Sequence, residues 1–412
     1  MSNKPVSKSS FLNQKFFDKS NIAIFCILGI MVGFLFPPAL LSVFTFLFGV
    51  NAIRDVHPRK WLQVRWWLIG IAWVAIYALT YFWSVDKGNW GDRLQTKLAV
   101  LLLPLAFYFL PRFSAKQLQL ITIIFAVAFL GSAFYSISFL IRDPAYYIHQ
   151  YKVSDVLPTL PKRDHIRASL AIALFIIWGV YIWPHLIDKP VKWFVGSTIA
   201  ILVVYLHILA AKSGLVSLYL FFIGWSFYML FYKKKLTGLI IIIAIPVIFF
   251  LANKFMPTFH ERVNYIDYTI FMLRHGDKSG QFGDNNRLYS YSIALDLIKQ
   301  HPITGVGTGD IQSSMDTGYA VKYPEVPAAA RLIPHNQFLV VGLGCGIPAM
   351  LLFCIWVFMP LASLRRNRQS FFFFMVWLIL FIQLMIEPAL EVQIGVFVYL
   401  FFLLLQKHEL VE

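Results

Sequence analysis

Charged residues are scarce in this chain of 412 residues. They make up 14% of the sequence, whereas hydrophobic residues make up 59% and the mean hydropathy is +0.68. A soluble domain is about 45–50% apolar and about 25% charged. A globule of this size cannot hide so many apolar side chains from water, so lipid must be their solvent. The composition therefore excludes an ordinary soluble protein and predicts a polytopic membrane protein.

Cysteine is also scarce, and the familiar metal-binding motifs are missing. Cys26, Cys345 and Cys354 all lie in apolar runs, without metal-ligand spacing or a paired pattern, which is typical of small core residues. The sequence contains no D-x-D, H-E-x-x-H or C-x-x-C motif. We therefore expect no dedicated metal centre and no cofactor.

Acidic residues are few relative to basic ones. The chain has 36 Lys and Arg against 20 Asp and Glu, a formal net charge of +16. In a soluble protein such an excess indicates nucleic-acid binding. In a membrane protein it is explained by basic cytoplasmic loops, which also attract anionic lipids. We therefore expect contact with membrane lipids and no nucleic-acid partner.

Apolar runs long enough to cross a bilayer as helices recur along the whole chain. They predict an all-α polytopic membrane protein with about twelve transmembrane helices. With both termini in the cytoplasm, 19 of the Lys and Arg but 5 of the Asp and Glu lie on the inner side, as the positive-inside rule requires. The predicted spans are residues 20–36, 38–53, 66–83, 95–111, 116–141, 165–184, 191–210, 213–232, 236–252, 335–359, 370–386 and 391–406.

A long outer loop separates spans 9 and 10. Within it, an amphipathic stretch from Leu288 to Ile298 stops at His301-Pro302, which indicates a helix lying at the membrane surface. No strand precedes the glycines of residues 305–309, so they predict a turn with close backbone approach rather than a nucleotide cradle. The predicted segments are a cytoplasmic tail 1–19, spans 1–9 in 20–252, the periplasmic loop 253–334, spans 10–12 in 335–406 and a cytoplasmic tail 407–412.

Polar residues are nearly absent from the middle of the spans, where His207 and Gln383 are the clear exceptions. Nearly all the distinctive polar side chains lie at the outer span ends, with Arg287 in the long outer loop, which predicts a site at the outer membrane–water boundary. Taken singly, an Arg or Lys there also fits a snorkelling anchor, and a His fits a helix cap. These side chains are His165, Arg167, Lys212, Arg287, His335, Glu387 and Glu391.

Several segments together resemble the O-antigen ligase/polymerase family. The strongest similarity is a basic residue, an amphipathic helix and P-x-x-G-x-G, followed by H-N-Q at the start of a span. The segments that carry it are AAKSGLVSLYL at 210–220, NNRLYSYSIALDLIKQHPITGVGTGD at 285–310 and PHNQFLVVGLGCGIPAMLLF at 334–353, with RDHIRASLAIAL at 163–174 and EPALEVQIGVF at 387–397 as variants.

The resemblance implies a glycosyltransferase at the periplasmic face of the bacterial inner membrane. Family members transfer a glycan from undecaprenyl pyrophosphate to an acceptor hydroxyl, with inversion at the anomeric carbon and without a metal. For a ligase the acceptor is the lipid A–core saccharide, and we take this as the leading hypothesis. The alternative is a polymerase that extends another glycan repeat. A non-enzymatic lipid or glycan transporter is the alternative of another class, and the scarcity of ionisable residues at mid-membrane disfavours it.

The resemblance also implies roles for individual residues. Arg287, Lys212 and Arg167 are expected to bind the donor pyrophosphate, where an Arg offers a planar fork that a Lys lacks. Lys212 stands where many family members carry Arg. His335 begins a span, where a neutral imidazole can accept the proton of the attacking hydroxyl. The expected supporting residues are His165, Asn336 and Glu391. Asn336 is expected either to cap the helix or to hydrogen-bond a sugar. Glu391 is expected either to orient His335 or the acceptor, or to form a salt bridge to one of the arginines.

Overall fold

The computed structural model describes residues 18–153, 155–161, 164–275, 283–365 and 367–409. Within these ranges the chain forms sixteen α-helices joined by turns and short 3-10 segments, and no strand. The helices are α1 (Lys19–Leu35), α2 (Pro38–Ile53), α3 (Arg65–Leu79), α4 (Lys87–Phe109), α5 (Ala115–Arg142), α6 (Pro144–Gln150), α7 (His165–Ile182), α8 (Lys189–Leu209), α9 (Lys212–Tyr232), α10 (Lys235–Phe255), α11 (Pro257–Arg274), α12 (Gly283–Gln300), α13 (Ile311–Lys322), α14 (Gln337–Phe358), α15 (Arg368–Ile386) and α16 (Gln393–His408).

Each of the twelve predicted spans overlaps one of these helices. In the described part of the chain, eight are long and apolar enough to cross a membrane, namely α3, α5, α7, α8, α9, α10, α14 and α15. Helices α1, α2 and α16 are apolar but shorter, and α4 begins with a polar turn. The structure thus confirms an all-helical, multi-pass membrane protein. The count of twelve remains a prediction, as does the periplasmic side assigned to residues 253–334.

Burial differs sharply among the helices. Nearly all of α7 is buried inside the bundle, as is most of α16. Helix α10, in contrast, exposes apolar side chains such as Ile240, Ile243 and Phe250 along its length. Exposed apolar side chains in such numbers would be unstable in water but are well solvated by lipid. The packing therefore places α7 and α16 at the centre and α10 at the lipid-facing edge.

One buried charge inside the bundle was not expected. The sequence pointed to His207 and Gln383 as the clear polar residues within the spans. The structure adds Lys97, whose side chain is fully buried. Its ammonium donates to the carbonyl of Leu390 at 2.6 Å and lies 2.9 Å from the carboxylate of Glu391. A buried cation needs such a partner, since an unpaired one would be strongly destabilising.

Helix α14 is broken near its middle. Gly346 has a φ of 83°, in the left-handed region that only glycine adopts readily, and Pro348 follows it. The break frees backbone groups that the glycine turn at residues 305–309 satisfies, as expected for irregular backbone inside a membrane protein. The bonds run from the amide of Val306 to the carbonyl of Leu343 (2.8 Å) and from the amide of Gly307 to the carbonyl of Gly344 (3.1 Å). The predicted close backbone approach of this turn is confirmed.

The amphipathic helix predicted before His301-Pro302 is α12, which ends at Gln300. Its buried face consists of Ile293, Ala294 and Ile298, which pack against Val340 and Leu343 of α14 in a second hydrophobic cluster. This packing fixes α12 over the beginning of α14. It thereby determines the position of Arg287, which lies near the start of α12.

Candidate functional site

A cavity of about 240 Å³ lies where several helix ends meet. The first turns of α7 and α9, His335 two residues before α14, and the end of α15 surround it, and α11 and α12 complete the wall. Helix N-termini favour anions, because their unpaired amides and the helix dipole are positive. The cavity is lined by Val156, His165, Ile166, Ala211, Lys212, Ser213, Arg262, Tyr265, Arg287, Leu332, His335, Gln383, Ile386 and Glu387.

Positive charge dominates this cavity. Lys212, Arg262 and Arg287 supply three cations, whereas Glu387 is the one carboxylate among the described lining residues. Without counting the two histidines, the three cations and one carboxylate give the lining a net charge of about +2. Such a concentration of fixed positive charge at the end of a helix bundle suits a polyvalent anion.

Glu387 connects two of the predicted site residues. Its Oε1 lies 2.9 Å from Nη2 of Arg287 and 3.4 Å from Nδ1 of His335. The first distance is a charge-assisted hydrogen bond, and the second is an electrostatic contact longer than a good hydrogen bond. The hydroxyl of Tyr291 also donates to the backbone carbonyl of His335 at 2.7 Å. The carboxylate of Glu387, in the turn after α15, therefore holds together Arg287 of α12 and His335, which lies two residues before α14.

The ionisation of Glu387 follows from these neighbours. Burial alone would raise the pKa of this carboxyl, because a charged group loses hydration. His335, Arg287 and Arg167 more than offset that effect, and the pKa of Glu387 lies below its ordinary value. Glu387 is therefore ionised at neutral pH. Because its folded pKa is lowered, its contribution to stability is present at neutral pH and is lost as the pH falls through that value.

The position of Lys212 depends on a tight connection between α8 and α9. Ala210 ends α8 in the left-handed conformation, with a φ of 48°, and only Ala211 separates it from Lys212. This conformation is strained for a residue with a side chain, by about 1–2 kcal/mol. The ammonium of Lys212 lies 5.8 Å from the ring centre of Tyr265. Close packing of Gly214 on Ser169 brings the first turns of α9 and α7 together.

Arg262 is a site residue that the sequence analysis missed. It lies on α11, is only 5% exposed and stacks near the ring of Tyr151 at 5.3 Å. It donates to the backbone carbonyl of Asp155 at 3.1 Å, and its buried Nε has no partner among the described residues. Burial lowers the pKa of this guanidinium, which nevertheless stays charged at neutral pH. Its sequence neighbourhood contains no motif that would have separated it from other loop cations.

Arg167 does not line the cavity but lies beside it. Its Nη1 forms an ion pair with Asp164 at 3.1 Å, and its charge contributes to the lowered pKa of Glu387. A side chain at position 395, which is a glycine, would crowd it, because a Cβ there would lie only 2.9 Å from Nε of Arg167. The glycine thus leaves room for Arg167 behind the turn that carries Glu387.

Of the three supporting residues expected from the sequence, one lines the cavity and two lie outside it. His165 lines the cavity. Asn336 caps α14, one of its two expected roles: its side-chain oxygen accepts from the amides of Phe338 and Leu339, and its amide nitrogen donates to the carbonyl of Met385. It thereby links the start of α14 to the end of α15.

Glu391 lies outside the cavity, so it does not orient His335; its expected alternative, a salt bridge to an arginine, is present, but the arginine is Arg93 rather than one of the predicted site residues. Its carboxylate is held by Arg93 at 2.7 Å, by Lys97 at 2.9 Å and by the side-chain amide of Gln337 at 2.8 Å. These contacts neutralise Lys97 within the bundle. The carboxylate that faces the cavity is that of Glu387, four residues earlier. The sequence did not predict which of the two glutamates would lie there.

Comparison with known proteins bears on the same part of the chain. Residues 197–354 match the family model described as O-Antigen ligase. This range includes Lys212, Arg262, Arg287 and His335, which come together at the cavity. A search of curated proteins gave no match. The match to the family model confirms the family resemblance: over residues 197–354 the chain is similar to the O-antigen ligases.

Proposed function

We propose that this protein transfers a glycan from an undecaprenyl-pyrophosphate donor to a hydroxyl of the lipid A–core saccharide. The observation that carries the proposal is the cavity in which Lys212, Arg262 and Arg287 surround the His335–Glu387 pair. Similarity to the O-antigen ligases makes a membrane glycosyltransferase of the ligase or polymerase type the expected class. The donor, the acceptor and the mechanism below are parts of the proposal.

The three cations act on the leaving group. Transfer breaks the bond between the anomeric carbon and a pyrophosphate oxygen, so negative charge grows on that oxygen. Fixed cations near it stabilise the transition state more than the ground state. Arg287 offers two parallel N–H groups to phosphate oxygens, whereas Lys212 offers a point charge. No metal is needed for this stabilisation when the protein itself supplies the positive charge.

His335 acts on the attacking hydroxyl. With Nδ1 protonated and directed to Glu387, Nε2 is the nitrogen left to accept a proton. The acceptor oxygen forms a bond to the anomeric carbon from the face opposite the leaving pyrophosphate, and its proton moves to Nε2 of His335. Attack from the opposite face inverts the anomeric configuration. Glu387 stabilises the imidazolium that results.

The glycolipids that accumulate in a deletion strain test this function. Loss of a ligase is expected to leave long glycan on undecaprenyl pyrophosphate together with bare lipid A–core. Single repeats capping the core would instead identify a polymerase, and precursor trapped on the cytoplasmic leaflet would identify a transporter. Mass spectrometry of the lipid fractions separates the three outcomes.

The proposed site requires the cavity to face the periplasm of a bacterial inner membrane, with both termini in the cytoplasm. We predict that a cysteine placed at the exposed Val321 on α13 reacts with a membrane-impermeant reagent in intact cells. A cysteine at the exposed Lys234, between α9 and α10, should be protected. Native Cys26 and Cys345 are buried and Cys354 is half-buried, so background labelling should be low. Labelling at Val321 only after permeabilisation would refute this orientation.

A further inference from the structure

A second cavity, of about 740 Å³, lies at the opposite end of the bundle. Helix α14 begins beside the first cavity and ends beside the second. Its 22 residues, with the break at Gly346, correspond to about 33 Å at 1.5 Å per residue, which is close to the roughly 30 Å thickness of a bilayer's hydrocarbon core. The second cavity therefore lies at the other membrane interface, on the side predicted to hold the termini. We infer that it binds the phosphate-bearing headgroup of an anionic phospholipid.

The charge of the second cavity supports this ligand. Arg65, Arg112 and Lys407 line it, and no Asp or Glu does so among the residues that the structure describes. His408 also lines it, but the ring is engaged by the carbonyl of Leu110 at 3.1 Å and by Glu409 at 3.3 Å. The three remaining basic groups give the cavity a positive charge that a phosphodiester complements. Basic pockets between transmembrane helices on the cytoplasmic side bind anionic headgroups in this way.

Lys407 is the residue that most directly favours an anionic ligand. Its ammonium lies 5.2 Å from the ring centre of Trp66, and within the described ranges no carboxylate is at ion-pair distance from it. Trp66 is itself fixed, since its Nε1 donates to the carbonyl of Trp356 at 2.7 Å. A cation–π contact offsets only part of the cost of holding a half-buried ammonium away from water. A bound phosphate would supply the rest.

The walls of the second cavity favour a lipid over free phosphate. Phe107, Leu404 and Met359 line it on the bundle side, and Tyr108 lines it while remaining 56% exposed. Pro104, within α4, removes a helix hydrogen bond next to this wall. Apolar walls below a basic rim match the glycerol and upper acyl chains below a phosphodiester. A water-soluble anion would gain nothing from them.

The test uses the purified full-length protein and native mass spectrometry. We expect the wild type to retain phosphatidylglycerol in preference to phosphatidylcholine. Lys407→Gln and Arg112→Gln should each weaken retention of phosphatidylglycerol about fivefold, and the double variant roughly 25-fold. Lys407→Arg should restore most of it. The matched control is Lys234→Gln, which removes an exposed positive charge outside this cavity and should leave retention unchanged.

Thermal unfolding provides an independent readout. Phosphatidylglycerol should raise the Tm of the wild type and of Lys407→Arg, but not that of the double variant, because a ligand that binds the folded state stabilises it. Unchanged lipid retention in the double variant would overturn the inference, as would an equal loss in Lys234→Gln. Displacement of the lipid by inorganic phosphate, with the same rise in Tm from phosphate alone, would show a free-anion site and also overturn it. None of these measurements depends on the proposed glycosyl transfer.

Discussion

His335→Ala is expected to lower turnover by about 10²–10⁴-fold, the usual contribution of general-base assistance. The attacking hydroxyl would then lose its proposed base, whereas the cations that hold the donor would be intact. Binding of the undecaprenyl-linked donor should therefore change much less than turnover. Initial rates in reconstituted vesicles and a separate donor-binding measurement distinguish the two quantities.

The pH dependence gives the same prediction a sharper readout. The wild-type rate should rise with pH on the acid side, because a general base must be neutral to accept a proton. Glu387 cannot cause this rising limb of the pH–rate profile near neutral pH, since its lowered pKa keeps it ionised there. His335→Ala should flatten the limb, and His301→Ala, an exposed histidine outside the cavity, should leave both rate and profile unchanged. Loss of donor binding with the limb preserved would instead make His335 a phosphate ligand, with His165 the next candidate for the base.

Arg287→Ala is expected to reduce transfer by about 100-fold or more, as when a fixed electrostatic donor is removed from an active site. Its guanidinium lies 2.9 Å from the carboxylate of Glu387. The substitution therefore removes a cation from the cavity and also removes the ion-pair partner of Glu387. Arg287→Lys should restore part of the activity, because a point charge cannot reproduce the planar fork. Measured rates must be normalised to the amount of protein in the membrane.

Lys299→Ala is the matched control for that experiment. Lys299 lies on the same helix as Arg287, is exposed and does not line the cavity. Its removal changes the net charge equally and should leave the rate within about twofold, since exposed charges contribute little. Near-normal transfer by Arg287→Ala at normal membrane abundance would favour a purely structural role. Equal losses in both variants would indicate a general effect of charge on membrane association.

Much of the architecture could be predicted from local patterns in the sequence. Runs of apolar residues required helices, since only internally hydrogen-bonded segments are stable in lipid. The amphipathic period and the proline after His301 defined α12, and the glycines of 305–309 required a turn. Lys212 and His335 stood out because each lies at the end of an apolar run, and Arg287 because it precedes the amphipathic stretch of the long loop. These signals depend on residues close in the chain and can be read without the fold.

Only the tertiary structure decided which polar groups share the cavity. Glu387 and Glu391 lie in one short turn, and their assignment depends on α16, where Gly395 lets the carbonyl of Ala389 and the side chain of Arg167 approach. That packing turns Glu387 toward Arg287 and His335, and Glu391 toward Lys97. Arg262 reaches the cavity because α11 packs on the end of α8 and on the segment that contains Tyr151 and Asp155. Sequence patterns fix which side chains meet lipid or water, whereas pairing among buried charges depends on contacts between distant segments, which no local period encodes.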